Sequence, residues 1–103
     1  MRYFAMTLGL FNSIGVTPVL VLMPTHPLVI QSMGDAQWNQ RRIVLLDYLR
    51  SLAQVYRVAI VDCSRIESFH GDPNAFYDGV HIKKENADRI IDTVVRAVPQ
   101  AFR

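Results

Sequence analysis

The strongest constraint on this chain is a run of five apolar residues, Val19-Leu20-Val21-Leu22-Met23, fenced by Pro18 and Pro24. The run does not alternate apolar with polar, so both of its faces must be covered, as in a strand of a parallel sheet. A second run, Val58-Ala59-Ile60-Val61, ends in Asp62 and reads the same way. Parallel neighbours need a long crossover between them. Helical periodicity supplies one over residues 37–55, where Leu45, Leu49, Leu52 and Tyr56 share a face that Leu46 and Ala53 widen.

Two more helices flank these runs. Over residues 2–15, Phe4, Leu8 and Phe11 fall at i, i+4 and i+7, Ile14 continues the stripe, and Gly15 is a stop signal. Over residues 83–98, one side gathers Ile82, Ala87, Ile90, Ile91, Val94, Val95 and Val98, and Pro99 ends the helix. Residues 25–36 read as a loop, with Pro27, Gly34 and an Asp35 placed to cap the next helix. Residues 63–81 form a long connection with a turn at Gly71-Asp72-Pro73-Asn74. A connection of that length calls for a short helix or a function. The order α-β-α-β-α predicts right-handed parallel crossovers and an α/β fold, a partial doubly wound sheet of flavodoxin-like type. Two buried strands leave at least one edge open. Residues 1–103 are therefore read as a single, incomplete α/β domain: part of a larger domain, or a unit that completes its sheet with another copy.

Composition narrows the function classes. Half of the 103 residues are apolar, which suits a packed core. Eleven basic against nine acidic residues give a net charge of +2, too even to argue for nucleic acid or a membrane surface. Arg41-Arg42 and Lys83-Lys84 are short pairs that read as solvated faces. No stretch approaches the ~20 apolar residues of a membrane span. The start, Met1 to Phe11, has a weak signal-peptide character, but Asn12-Ser13 interrupts it and no small-x-small site follows. The compartment stays open. Cys63 is the one cysteine, so no internal disulfide forms. His26, His70, Asp72, Asp78 and His81 lack the spacing of a metal motif, and no cofactor is implied.

The residues that point to chemistry are Asp78-Gly79-Val80-His81. Histidine suits a base that takes a hydroxyl proton and returns it to a leaving group, because its free pKa is near ~6.5. A carboxylate on the far ring nitrogen fixes the tautomer and steadies the cation that forms. Three residues apart, Asp78 and His81 can meet across one tight turn, and Gly79 permits unusual backbone angles there. The same spacing also fits a cap on the last helix, and D-x-x-H alone arises by chance in roughly a tenth of chains this long. Location adds weight. The loops over 25–36 and 63–81 both leave the carboxyl ends of strands, where open α/β sheets form their sites.

With Phe76-Tyr77 before it and Ile82-Lys83-Lys84-Glu85-Asn86-Ala87 after it, this segment resembles the last conserved block of the SGNH or GDSL-type esterases and lipases. Val19 to Pro27 is similar to that family's penultimate strand and exit loop. The likeness covers most of this chain but only the C-terminal half of a family domain. Many members carry glycine where Asn86 stands. The resemblance implies ester hydrolysis through an acyl-serine, or acyl transfer to a sugar, with His81 as base then acid and Asp78 orienting it. The family's Gly-Asp-Ser block and its two oxyanion blocks are not recognisable, so no nucleophile carries over.

Within the chain, Cys63 and Ser64 follow the second strand and are the available substitutes, with Ser32 weaker. A lone cysteine at a strand end is more often a small buried residue. His26 reads as a crevice-wall or loop residue. Trp38 reads as packing of its helix onto the sheet, with an acyl or sugar pocket as the other use. The alternative from another class is a non-catalytic domain that associates, as a homo-oligomer, through its open sheet edge.

Overall fold

In the computed structural model, which describes residues 2–99, both apolar runs are strands. β1 (Val19–Leu22) and β2 (Ala59–Asp62) pair in parallel, Val19 beside Ala59 and Leu22 beside Asp62. They form a two-stranded sheet. The carbonyls of Pro18 and Leu22 accept the N–H groups of Ala59 and Cys63, both at 3.0 Å. Strand groups alternate sides, so Val19 and Val21 direct their own N–H and C=O away from β2, toward the open edge.

Side chains alternate as well, which explains why the runs themselves do not. Leu20, Leu22 and Ile60 pack with Leu8 of α1 (Arg2–Ser13) and with Leu46, Leu49 and Leu52 of α3 (Asp35–Ala53). Val19, Val21, Ala59, Val61 and Cys63 join Phe69 and, from α4 (Lys84–Ala97), Ile90 and Val94. Every apolar strand residue thus meets a helix layer on one face or the other, as the α/β reading expects. Gly15, at φ +80°, ends α1, and Val16 N–H returns to the Phe11 carbonyl at 2.9 Å. Among the described residues, no helix is long and apolar enough to cross a membrane.

The structure departs from the sequence reading at several places. Residues 25–36 are not all loop, because α2 (Pro27–Met33) lies within them. Its start is made by His26, whose ring accepts the Leu28 N–H, followed by Pro27, which has no N–H to satisfy. Asp35 does not cap α3. Gly34 precedes that helix, and Asp35 sits in its first turn, where its charge faces the positive end of the helix. The inner stripe of α3 is Leu46, Leu49 and Leu52, whereas Leu45 is 43 % exposed and Ala53 is exposed. Ile91 of α4 is 60 % exposed, and Phe11 and Ile14 are exposed beside Tyr3, Met6 and Leu10. The long connection holds a single 3-10 turn, Ile66–Phe69, that buries Phe69.

Candidate functional site

The loops that leave β1 and β2 are tied to each other and to the D-x-x-H segment. Thr25 N–H donates to the Ser64 carbonyl at 3.2 Å, and His26 N–H donates to the Gly79 carbonyl at 2.9 Å. Asp78 and His81 therefore stand on the carboxyl-end edge of the sheet. Their own segment is a tight hairpin. Phe76 and Ile82 bridge in antiparallel fashion, and Tyr77 N–H donates to the His81 carbonyl at 2.7 Å. Gly79 allows the hairpin to lie on α2, since a Cβ there would stand 2.5 Å from a methyl of Val29.

Within the hairpin Asp78 uses both carboxylate oxygens. Oδ1 accepts the N–H groups of Val80 (2.9 Å) and His81 (2.8 Å), and Oδ2 meets His81 Nδ1 at 2.7 Å. The Val80 N–H first, then the His81 ring and the His81 N–H, hold the Asp78 carboxyl down at about 2, from an ordinary 3.8. A carboxylate beside Nδ1 places the proton there and leaves Nε2 as the acceptor. No partner meets Nε2 among the described residues, and the His81 side chain is 73 % exposed, against 56 % for Asp78. Asp78 caps its own turn, while the residue preceding α4 is Lys83, which makes no side-chain cap. The helix-cap reading of the pair therefore does not hold.

His26 is more than a loop residue. Its Nδ1 accepts the Leu28 N–H at 3.0 Å, so the ring proton lies on Nε2, which donates to the Pro73 carbonyl at 2.8 Å. The ring also meets Phe76 edge-on at 5.0 Å. A shallow depression of about 310 Å³ lies between these groups, lined by His26, Val29, Pro73, Phe76 and Asp78.

The candidate nucleophiles are not joined to the dyad. Cys63 is 0 % exposed, and burial, helped by the Asp62 charge, pushes its thiol up; a group so placed is inert. Ser64 is buried in a separate network. Its hydroxyl donates to Asp62 Oδ1 at 2.5 Å and accepts Arg42 Nε at 3.0 Å, and Arg42 Nη2 reaches Asp62 Oδ2 at 2.7 Å. Burial alone would raise the Asp62 carboxyl, but the bonds from Ser64 and Arg42 outweigh it and lower it. Ser32 lies on α2 and makes no bond to His81. Trp38 is buried, with the Arg65 guanidinium over its ring at 4.5 Å, and it lines a groove beside β1. Among the described residues no three His, Cys, Asp or Glu side chains cluster as a metal site.

The sequence reading overlooked Asn86. Noted there only as a departure from glycine, it is 0 % exposed. Its Oδ1 accepts Asp72 N–H at 2.8 Å, and its Nδ2 donates to the carbonyls of Asp72 (2.9 Å) and Ala75 (3.0 Å). It fastens the 72–75 loop, and through Ala75 the base of the hairpin, to the start of α4. One signal for this was present: Asn86, Ile90, Val94 and Val98 fall four apart, so the asparagine stands on the buried stripe of α4. No family model, curated protein or solved structure matches this chain.

Proposed function

We propose that Asp78 and His81 are the base half of a serine-hydrolase-type site acting on esters, in a partial flavodoxin-like domain resembling the C-terminal part of an SGNH hydrolase. The observation that carries this reading is the geometry of the pair. A carboxylate locked by two backbone N–H groups stands 2.7 Å from Nδ1, and Nε2 is free at the carboxyl edge of parallel strands. That is the arrangement a general base needs. The serine would come from outside residues 1–103. Nε2 would take its proton as the hydroxyl oxygen bonds the acyl carbon. His81 would then return that proton to the departing alcohol, and water, or a sugar hydroxyl in the transfer variant, would release the acyl group by the reverse steps.

The test is turnover of p-nitrophenyl acetate by the longest polypeptide encoded in frame with this chain. His81→Ala should abolish it, and Asp78→Asn should lower kcat by about 10⁴-fold. Equal turnover by the His81→Ala protein would remove the reading. The 103-residue chain alone should not exceed its own His81→Ala control. Clear His81-dependent turnover by it would mean that the nucleophile lies within the chain.

A second reading, a domain that associates through its open sheet edge, is favoured by a different observation. The N–H and C=O of Val19 and Val21 face outward on an edge flanked by apolar side chains from both helix layers. An unpaired edge of this kind is a template for another strand.

A further inference from the structure

Both helix layers overhang the free edge of β1. On the α1/α3 side a groove of about 540 Å³ is lined by Phe4, Leu20, Leu22, Trp38, Arg41 and Leu45. On the α4 side a groove of about 320 Å³ is lined by Val21, Met23, Ile82, Ile90, Ile91 and Val94. The edge between them is a slot for one strand of about four residues, apolar on both faces.

We infer that a second copy of this chain fills the slot, its β1 running antiparallel to the first across a two-fold axis. The result is a continuous sheet in the order β2-β1-β1-β2. This inference rests on the association reading and not on the hydrolase reading. Three observations support the choice of occupant. First, every copy brings a strand of the required kind: Val-Leu-Val-Leu, apolar on both faces, with the outward N–H and C=O groups of Val19 and Val21 unpaired among the described residues. A two-fold pairs those groups reciprocally, as a closed isologous contact requires.

Second, the surface has the right size. The chain exposes 6974 Å², whereas a folded monomer of 11.7 kDa exposes about 5,900 Å². The excess of about 1,100 Å² compares with the roughly 800 Å² that each partner loses in a standard interface. The radius of gyration, 14.8 Å, likewise exceeds the about 12.8 Å expected for 103 residues. Four strands also pass the threshold of about three below which a sheet is marginal.

Third, charge does not oppose the contact. Arg41 and Arg42 are the charged side chains lining the two grooves, and Arg42 is tied to Asp62. Both lie toward the carboxyl end of β1, since Arg42 bonds residues at the end of β2. Antiparallel pairing carries the two copies' Arg41 to opposite ends of the joined edge.

Sedimentation equilibrium of the 103-residue chain at micromolar concentration tests this, with twice 11.7 kDa as the expected mass. Val21→Pro removes an outward N–H without touching the ladder to β2, and should give a monomer with unchanged circular dichroism. Leu45→Lys, a change on a half-exposed α3 position, should do the same if the proline variant fails to fold. In the wild type the Val19 amide should exchange about 100-fold more slowly than in either variant, and the Val21 amide about 100-fold more slowly than in Leu45→Lys. A wild-type monomer, a dimer that survives both substitutions, or fast exchange at Val19 and Val21 in the dimer would overturn the inference. The esterase assay is untouched by any of these outcomes, so the two readings fail separately.

Discussion

Replacing Asn86 by alanine should loosen the whole loop that carries the dyad. The side chain is wholly buried and makes three hydrogen bonds of 2.8–3.0 Å, one accepted and two donated. Each is worth about 1 kcal/mol net, and the loop groups left behind lose their partner in a partly buried place. The expected cost is about 2–4 kcal/mol, a large share of the roughly 5–15 kcal/mol that holds a domain of this size. In urea, followed by circular dichroism, the midpoint should fall by about 1–3 M with the slope unchanged. Asn86→Asp should be worse at neutral pH, because a carboxylate would then face the carbonyls of Asp72 and Ala75. Burial against two acceptors raises the pKa of such an aspartate in the folded state. Its penalty therefore grows as pH rises above the unfolded value and shrinks in acid. An alanine variant within about 0.5 kcal/mol of wild type, or an aspartate variant no worse at neutral than at acid pH, would refute the view that this residue clamps the loop.

Three more consequences are open to direct measurement. Asp78 titrates near 2 in the folded chain against 3.8 ordinarily, so its contribution to stability is complete above about pH 4 and fades as pH falls toward 2; an NMR titration of its carboxyl carbon should show this, and Asp78→Asn should flatten that part of the stability profile. Gly79→Ala should push the hairpin off Val29 of α2, costing about 1–3 kcal/mol and weakening the His26 to Gly79 bond, which amide exchange at His26 reports. Cys63 should resist a disulfide reagent in the native state and react fully in denaturant, and rapid native labelling would contradict its burial.

The layering of the fold was legible because it rests on patterns that repeat. Two non-alternating runs can only be strands covered on both faces, and they pair in parallel between helix layers. What the patterns missed has physical causes. The helix Pro27–Met33 is short and rich in branched side chains, so propensity did not reveal it. It depends on a histidine ring cap and a proline at its first position. Leu45 and Ile91 obey helical periodicity yet stand exposed, because periodicity records which face is apolar and not whether anything covers it. The meeting of Asp78 with His81 was readable, since a three-residue separation leaves few ways to miss. The role of Asn86 was not, because its partners lie 11 and 14 residues upstream.

That difference bears on how the Asp78–His81 pair is held in place. The dyad is fixed chiefly by contacts of short range: an Asx turn from Asp78 to Val80 and His81, and a hairpin from Phe76 to Ile82. Its longer ties run to His26, to Pro73 through the His26 ring, and to α4 through Asn86 and Lys83. None of these crosses the free edge of β1. Closing that edge would add sheet and bury apolar surface without having to move Asp78 or His81. The geometry of the pair can therefore persist whichever strand occupies the edge. The position of a nucleophile cannot, since no serine hydroxyl among the described residues bonds Nε2. Activity, if the hydrolase reading holds, is then decided by what is brought to the edge of the sheet and not by any adjustment of the dyad itself.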